Sequence, residues 1–178
     1  MAGSAKGTRL APVPAGTRPL SDRAREGLFS SLGGFVRDTR VLDLFAGTGA
    51  VGIEALSRGA ASALFVDSAP AAARIVAENL RRTRLAKNAT VRRQDALRVI
   101  RSKPGQFDLV VLDPPYKWPQ ADLDLLLGAI AGQGVAAAGA QVVLTRASKG
   151  YMPVIPLHWR HERTLTYGDA IVLVYQTP

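Results

Sequence analysis

Residues 107–116 join a buried strand to a short loop whose residue types could carry out chemistry. Residues 109–112 form an unbroken apolar run, which is typical of a parallel strand covered on both faces. Asp113 then places a carboxylate at the carboxyl end of this strand. Pro114 and Pro115 end the strand, because neither residue can donate a ladder hydrogen bond.

An acceptor side chain, a rigidly aimed carbonyl and an aromatic ring suit the methylation of an exocyclic amine. Such an amine is a poor nucleophile, because its lone pair is delocalised into the base. Asp113 and the carbonyl of Pro114 could hold the two amine hydrogens and turn the lone pair toward an electrophile, while the base stacks on Tyr116. The same four residues also fit a purely structural interpretation, a strand that ends in a proline turn whose aspartate caps a backbone amide.

The first core strand, over 40–45, leads through the turn Ala46-Gly-Thr-Gly-Ala-Val-Gly52 into a helix that we expect to run to about Arg58. The three glycines match the dinucleotide-binding pattern G-x-G-x-x-G in the strand, turn and helix context that it requires. Asp67 ends the next strand, 18 residues after Gly49. The pattern permits a nicotinamide dinucleotide site, and tight packing is its structural alternative.

Asp43 argues against the dinucleotide. A carboxylate just before the glycine turn would repel a pyrophosphate, whereas it would attract a ligand that carries an ammonium group. S-adenosylmethionine has that ammonium group and a sulfonium, and it has no phosphate. The turn could therefore hold the methionine portion of this ligand while Asp67 accepts hydrogen bonds from the ribose hydroxyls. Capping of the following helix is the structural alternative for Asp43.

A third strand, Ala89 to Arg93, ends at Gln94-Asp95-Ala96, where another helix begins. Asp95 could accept a hydrogen bond from the adenine amino group of a cofactor that lies across the strand ends. It fits equally well as the N-cap of the helix. Asp43, Asp67, Asp95 and Asp113 thus all fall at the carboxyl ends of strands, where ligand sites of parallel sheets lie.

Composition indicates one domain with an anionic partner. A chain of 178 residues with 47% hydrophobic content can build one full-sized core. The net charge is +9, and 18 of the 23 basic residues are arginine, which favours nucleic acid as partner. The absence of cysteine is compatible with a cytoplasmic location. No apolar run approaches the ~20 residues of a membrane span.

The N-terminal residues 1–20 are rich in glycine, proline and basic residues, and they predict a basic arm or small hairpin, with a flexible tail as the alternative. We expect the main domain to cover 21–178. Ser21 is a candidate N-cap for a short amphipathic helix that Gly33 and Gly34 end.

Residues 74–103 hold ten basic residues against Glu78 and Asp95. They include a helix that we predict from Pro70 to about Arg84, with an inward side of Ala71, Ile75, Val76, Asn79 and Leu80. This concentration of charge predicts either a phosphate-binding surface or a solvated helix face.

The C-terminal third predicts a helix over 123–130, a loop over the Ala/Gly-rich residues 131–140, a fifth strand over 141–145 and a hairpin over 158–175. His158 and His161 lack neighbouring ligand types at metal-binding spacing, and no metal is expected. Alternating strands and helices followed by a terminal hairpin predict an α/β fold, a mostly parallel, doubly wound sheet of seven strands with a C-terminal antiparallel hairpin.

Asp43-Leu-Phe-Ala-Gly-Thr-Gly49 and Asp113-Pro-Pro-Tyr116 resemble the motifs of class I, S-adenosylmethionine-dependent amino methyltransferases, which have a Rossmann-like fold. The segment from Thr17 to Phe29 resembles the T-R-P-T-x-D-x-x-R-E-x-L-F segment of the RsmD family, bacterial 16S ribosomal RNA guanine-N2 methyltransferases. Residues 56–61 and 167–169 also fit that family, so the resemblance covers nearly the whole chain.

The resemblance implies methyl transfer to a guanine amino group in 16S ribosomal RNA, of the guanine-966 type. The expected partner is this RNA or the assembling small subunit, the enzyme being a monomer in the cytoplasm. Its catalytic residues would be Asp113, Pro114, Pro115 and Tyr116. Its cofactor-binding residues would be Asp43, Phe45, Ala46, Gly47, Thr48, Gly49, Asp67, Ser68, Asp95, Ala96 and Asp113. Its RNA-binding residues would be Arg18, Arg23, Arg25, Arg81, Arg82 and Arg84.

Three features depart from the family pattern. The family opens with an R-I-I strand, whereas this chain begins at Met1-Ala-Gly3, so the N-terminal hairpin is expected to be incomplete or the start misplaced. Leu20 replaces a threonine near the mouth of the site, and Asp67 replaces a glutamate, which shortens the reach to the ribose.

Three rival functions remain open from the sequence. The same chemistry could act on another acceptor such as a DNA adenine, because Asp-Pro-Pro-Tyr suits both amines. The glycine spacing favours a nicotinamide-dependent oxidoreductase, which Asp43 disfavours. A non-catalytic RNA-binding domain could retain the fold, although the complete four-residue site argues against it.

Overall fold

The computed structural model describes residues 1–12 and 20–178. Within these residues, one sheet of seven strands crosses the molecule in the order β3-β2-β1-β4-β5-β7-β6. The strands are β1 (Arg40–Leu44), β2 (Ser62–Asp67), β3 (Ala89–Arg93), β4 (Phe107–Leu112), β5 (Ala136–Ala147), β6 (Arg160–Tyr167) and β7 (Ala170–Gln176).

The first five strands pair in parallel, and β7 pairs antiparallel with both β5 and β6. The order reverses between β1 and β4, so the chain winds outward from the centre of the sheet in two directions. The predicted mostly parallel, doubly wound sheet with a C-terminal antiparallel hairpin is confirmed. A fold of this kind leaves a crevice at the carboxyl ends of β1 and β4, where the winding changes direction.

Helices cover both faces of the sheet. They are α1 (Asp22–Leu32), α2 (Ala50–Ser57), α3 (Pro70–Arg82), α4 (Ala96–Arg101) and α5 (Gln120–Gly132). On one face, α1, α2 and α3 share a core with side chains such as Val41, Phe65 and Val111. On the other face, α4 and α5 share a core with Leu42, Val110 and other side chains of opposite parity. Successive residues of a strand point to opposite faces, so each central strand contributes to both cores.

Local signals set the starts of several helices. The Ser21 hydroxyl accepts a hydrogen bond from the Ala24 amide at 3.2 Å, which makes Ser21 the predicted N-cap of α1. Pro70 occupies the first turn of α3, where its missing amide hydrogen costs nothing. Asp95 caps α4, because its Oδ1 accepts a hydrogen bond from the Arg98 amide at 2.9 Å.

Two sequence predictions differ from the structure. Strand β5 already begins at Ala136, so the prediction of a loop over 131–140 is wrong for its second half. Small residues have weak strand propensity, but there the backbone pairs with Phe107 on β4 and bulges before Gln141. On α3, Ala71 and Ile75 were expected on the inward side, yet both are half-buried and line an open groove beside β3.

The described part of the N-terminal segment, residues 1–12, contains a short 3₁₀ turn over Gly3–Ala5 and no strand. It packs against α2 and α3: the Ala2 amide donates to Glu54, the Ala5 amide to the Ser57 hydroxyl at 2.8 Å, and the Ala11 amide to Asn79 at 2.7 Å. Residues 1–12 therefore form a packed arm, and residues 13–19 of the predicted arm or hairpin lie outside the described residues. Among the described residues, no helix combines the length and the apolar character that crossing a bilayer requires.

Candidate active site

The register of the sheet brings three acidic strand ends together. Leu44 pairs with Val66 on β2 and with Leu112 on β4, so the residues that follow these positions lie side by side. Asp113 follows Leu112, Asp67 follows Val66, and Asp43 precedes Leu44. The three carboxylates therefore meet at the crevice in the centre of the sheet, as the sequence predicted for the carboxyl ends of parallel strands.

Asp43 is the most buried of the three, with 2% of its surface exposed. Its Oδ2 accepts a hydrogen bond from the Gly52 amide at 2.9 Å, in the first turn of α2. Burial raises the pKa of Asp43 to about 8; the Gly52 amide lowers it, and the neighbouring carboxylates of Asp113 and Asp67 raise it further. The capping role that the sequence left open is thus present, together with an electrostatic role in the acidic cluster.

The glycine turn after β1 depends on left-handed backbone. Phe45, Gly47 and Gly49 have φ values of 63°, 57° and 76°. The turn is closed by a hydrogen bond from the Gly49 amide to the Ala46 carbonyl at 2.7 Å. A Cβ added at Gly47 would meet no atom closer than the Phe45 carbonyl oxygen at 3.9 Å, so this residue leaves room for a ligand to approach the backbone.

Asp67 connects β2 to the glycine turn. Its Oδ2 accepts a hydrogen bond from the Gly47 amide and its Oδ1 one from the Ala69 amide, both at 2.9 Å. Each carboxylate oxygen has a second lone pair, so Asp67 can also accept from ribose hydroxyls while it holds the turn. Ser68, the next predicted residue, is exposed beside it.

Asp95 lies on the neighbouring strand end, because the Gln94 amide donates to the Asp67 carbonyl at 3.1 Å. The side chain of Asp95 is exposed and caps α4, and Ala96 is buried behind it. The N-cap interpretation is therefore present in the structure. A capping carboxylate keeps one oxygen for a ligand, so the adenine contact remains compatible with this geometry.

The loop after β4 presents the candidate catalytic residues. Asp113 is half-buried, Pro114 is buried, and Pro115 and Tyr116 are exposed. Burial raises the pKa of Asp113 to about 6, while the Leu20 amide and the Thr145 hydroxyl act in the opposite direction. The loop is closed by a hydrogen bond from the Trp118 amide to the Pro115 carbonyl at 2.8 Å.

The rings of Trp118 and Phe45 meet edge to face, with centroids 4.8 Å apart. This contact joins the loop after β4 to the turn after β1. The left-handed backbone of Phe45 directs its ring toward the α4 and α5 side of the sheet, where Trp118 packs. The candidate cofactor turn and the candidate catalytic loop are thus in direct contact.

The predicted RNA-binding arginines fall into distinct environments. Arg23 is exposed on α1, and Arg81, Arg82 and Arg84 are exposed at and just beyond the end of α3. Arg25 is different, because its side chain is 11% exposed and lies 2.9 Å from Asp22 and 3.8 Å from Glu54. This placement favours a structural role for Arg25. Arg18 lies outside the described residues.

Sequence reasoning missed two buried polar residues that support the site. Asn79 is fully buried; its side chain accepts from the Ala11 amide at 2.7 Å and donates to the Thr48 carbonyl at 2.8 Å, so it joins the N-terminal segment to the glycine turn. Arg146 on β5 is 2% exposed. A polar residue on the inward side of a predicted helix was the available signal for Asn79, whereas no local pattern marked Arg146.

In the parts of the chain that the structure covers, no group of three acidic, histidine or cysteine side chains could hold a metal ion. His161 is exposed and its Nε2 lies 2.9 Å from the Thr164 hydroxyl, on the outer strand β6. The acidic cluster instead suits an organic cation. Carboxylates that raise one another's pKa in a buried crevice bind positive charge favourably, and a turn with an open glycine face admits the ligand.

A fold of this topology with this acidic crevice defines a class I, S-adenosylmethionine-dependent methyltransferase. The family model described as conserved hypothetical protein 95 matches residues 1–176. The chain belongs to this family, the RsmD family. The nicotinamide interpretation of the glycine turn is thereby set aside.

Individual relatives agree with this membership. The chain is 33% identical over 176 residues to ribosomal RNA small subunit methyltransferase D of Escherichia coli K12, a match that covers 98% of this chain and 87% of the relative. It is 42% identical over 121 residues to YlbH of Bacillus subtilis, with 66% of each chain covered. The solved structure of YhhF from Escherichia coli superposes with a TM-score of 0.87 at 32% identity, covering 99% of this chain and 95% of that one.

Proposed function

We propose that this protein transfers a methyl group to the exocyclic N2 amine of a guanine in 16S ribosomal RNA, of the guanine-966 type. The Escherichia coli relative is named as a methyltransferase of small-subunit ribosomal RNA, and the match spans nearly the whole chain. The observation that carries the proposal is the meeting of Asp43 and Asp113 in one crevice, with Tyr116 exposed beside it.

S-adenosylmethionine supplies an electrophilic methyl group, and the residues of the β1 turn are those that would hold it. Asp43 would face its ammonium group through the acidic crevice, and the backbone of 45–49 would line its methionine portion. Asp67 and Ser68 would contact the ribose, and Asp95 and Ala96 the adenine. These placements follow the order in which the strand ends lie across the sheet, from β1 to β3.

The base would lie on Tyr116 with its amine between the Asp113 carboxylate and the Pro114 carbonyl. Pro115 stiffens this loop, so that the two acceptors keep a fixed separation. Accepting both amine hydrogens directs the nitrogen lone pair out of conjugation with the ring. Catalysis would then consist chiefly of positioning, with Asp113 placed to accept the proton that the nitrogen loses. The base must leave its stack to enter the crevice.

Exposed arginines would hold the RNA backbone. Arg23, Arg81, Arg82 and Arg84 are exposed, and the region 74–103 carries most of the positive charge of the chain. Arg81 and Arg82 also occupy the last turn of α3, where cations stabilise the helix, so their role has a structural component. Arg18 belongs to the same proposal through its position next to Pro19 and Leu20.

We further propose that residues 1–20 act as a basic arm distinct from the methyltransferase domain 21–178. In residues 1–12 the arm packs on α2 and α3, and residue 20 reaches the Asp113 carboxylate. This arrangement would let the arm respond to the occupancy of the site. A monomer acting in the cytoplasm on the RNA or the assembling small subunit completes the proposal.

The experiment is mass mapping of methylated guanines in ribosomal RNA from cells with and without the gene. The proposal predicts one N2-methylguanine in 16S ribosomal RNA that disappears with the gene and returns with a plasmid copy. A complete set of N2-methylguanines in the deletion strain would refute it. Transfer of labelled methyl groups to small subunits, free RNA and DNA, measured in parallel, distinguishes this activity from methylation of a DNA adenine.

A further inference from the structure

Arg146 is a buried cation with a hydrogen-bond donor that has no partner among the described residues. It lies on β5, and 2% of its surface is exposed. Its Nε donates to the Tyr151 carbonyl at 3.3 Å. Its Nη1 is buried and has no hydrogen-bond partner within residues 1–12 and 20–178. An unpaired N–H on a buried charged group costs free energy, so such a group calls for a compensating partner.

The position of Arg146 connects it to the catalytic loop. Leu144 on β5 pairs with Leu112 on β4, so Arg146 stands beside the residues that follow Asp113. Leu144 and Arg146 have the same parity and point to the α5 side of the sheet, where the loop after Asp113 crosses on its way to α5. Tyr116 lies close enough to interact electrostatically with the Arg146 guanidinium.

Solvent and the interior offer poor alternatives as the missing partner. Little of Arg146 reaches water, since 2% of its surface is exposed, and the bond from Nε to Tyr151 uses one of the five N–H donors of the group. A ligand that enters the crevice beside Tyr116 is therefore the available source of acceptors. It must bring oxygen or ring nitrogen acceptors to the side of the loop opposite the Asp113 carboxylate.

We propose that Arg146 reads the O6 and N7 edge of the target guanine and makes the site specific for guanine. The inference rests on the proposed function. It adds to that function the residue that selects guanine over other bases. A base whose 2-amine reaches Asp113 and whose face rests on Tyr116 turns its opposite edge away from Asp113, toward the side on which Arg146 lies.

Arginine suits this edge of guanine and not that of adenine. Guanine presents two acceptors there, O6 and N7, which match the forked donors of a guanidinium. Adenine presents N7 and an amino group, which is a donor. An amino group that faces a buried guanidinium would place two donors opposite each other, and neither would have an acceptor. Because unpaired buried donors cost free energy, such a site should discriminate strongly between guanine and adenine.

Base analogues distinguish a contact of Arg146 with O6 and N7 from a contact with phosphate or a role in holding Tyr151. Three ribosomal RNAs are prepared, with guanine, 2,6-diaminopurine or 2-aminopurine at the target position. All three bases have the 2-amine, and only guanine has O6. Each RNA is ligated and assembled into small subunits, and single-turnover methylation is measured at saturating S-adenosylmethionine. The enzymes are the wild type, Arg146→Met, Arg146→Lys and, as a control on the outer strand β6, Arg160→Met.

The wild type should prefer guanine over 2,6-diaminopurine, and Arg146→Met should reduce that preference by about 10- to 100-fold. Arg146→Lys should keep part of it, because lysine donates without the fork, and Arg160→Met should leave it unchanged. Equal loss of rate on all three bases in Arg146→Met would overturn the inference, since a contact to phosphate or a role in holding Tyr151 affects every base alike.

Thermal melting and S-adenosylmethionine affinity establish that each variant is folded, and the preference ratio is independent of the fraction of active enzyme. Failure of the wild type to methylate guanine both in small subunits and in free 16S ribosomal RNA would refute the proposed function itself. Methylation by the wild type with an unchanged preference in Arg146→Met and Arg146→Lys would refute the reading role alone.

Discussion

Asp43 Oδ2 accepts a hydrogen bond of 2.9 Å from the Gly52 amide, and this contact ties the carboxyl end of β1 to the first turn of α2. It holds the carboxylate toward the crevice shared with Asp113 and Asp67. Because the protein buries this acid and surrounds it with like charge, its pKa lies near 8 and not at its ordinary value of 3.8. The free protein thus carries a proton at Asp43 at neutral pH.

Binding of S-adenosylmethionine should therefore release a proton. A cationic ligand favours the ionised carboxylate, so the affinity should rise with pH toward the free-protein pKa of about 8. Calorimetric titration between about pH 5 and about pH 7 keeps the amine of the ligand largely protonated. Asp43→Asn should bind more weakly and lose this pH dependence, although its amide oxygen can still accept from Gly52. Proton release that persists in Asp43→Asn would assign it to another group.

The raised pKa of Asp43 also makes the free energy of unfolding depend on pH. A carboxyl group whose folded pKa exceeds its unfolded value stabilises the protein fully below about pH 4, and this contribution is lost as the pH rises through about 8. Replacement by asparagine should flatten the pH dependence of unfolding over that window, which denaturant titration at several pH values measures.

Asp113→Ala should abolish methyl transfer, lowering kcat/KM for RNA by at least about 100-fold, because the amine loses an acceptor. Affinity for S-adenosylmethionine should change little. In the wild type, kcat/KM measured at saturating S-adenosylmethionine should rise with pH through about 6, since the ionised carboxylate is the acceptor and its pKa is about 6.

Asp113→Asn is the matched control for the preceding variant. It keeps an acceptor oxygen and should retain part of the activity, while the rise of kcat/KM near pH 6 disappears. Near-normal turnover in Asp113→Ala would remove the proposed role of this carboxylate.

Gly52→Ala should destabilise the protein and weaken cofactor binding. A Cβ at this position would lie 2.4 Å from Cε1 of Phe65 and 3.0 Å from Oδ2 of Asp43, and overpacking of this kind costs ~1–3 kcal/mol. Gly128→Ala on the exposed side of α5 is the control, because a Cβ there meets nothing within 4 Å. It should stabilise the helix by ~0.5–1 kcal/mol, so denaturant unfolding should shift in opposite directions for the two variants.

Asn79→Leu should separate cofactor binding from turnover. The substitution keeps the branched shape of four heavy atoms but removes the hydrogen bonds to the Thr48 carbonyl and the Ala11 amide, which cost ~1–3 kcal/mol to leave unmade. A less firmly held glycine turn should raise KM for S-adenosylmethionine, by roughly tenfold, while kcat at saturation stays near that of the wild type. Equal falls in kcat and unchanged KM would show that Asn79 acts elsewhere.

Replacing Arg81, Arg82 and Arg84 together with alanine should weaken RNA binding in a salt-dependent manner. Loss of three phosphate contacts should reduce the slope of log K against log salt by about 2 to about 3. Alanine replacement of Arg37, Arg40 and Arg160 provides a control of equal charge, since these exposed arginines lie at the amino ends of strands. An unchanged slope in the first variant would assign its arginines to solvent and to the end of α3.

The order of strands and helices and the position of the acidic strand ends follow from the residue pattern alone. Alternation of apolar strands with amphipathic helices specifies a parallel sheet, and in such a sheet every strand's carboxyl end lies at one edge. Asp43, Asp67, Asp95 and Asp113 could therefore be placed at one edge from their positions after predicted strands. The glycine turn and the Pro114-Pro115 loop carry their conformational requirements in the residue types themselves.

Which buried polar groups meet depends on how the elements pack in three dimensions. The Leu20 amide reaches the Asp113 carboxylate, Asn79 joins residue 11 to the glycine turn, and Arg146 lies near Tyr116. These contacts join residues that are distant in the chain, and no local periodicity encodes them. They arise because packing two helical layers on one sheet removes water from polar side chains, and each group so buried must then find its partner in whatever part of the chain the fold has brought near.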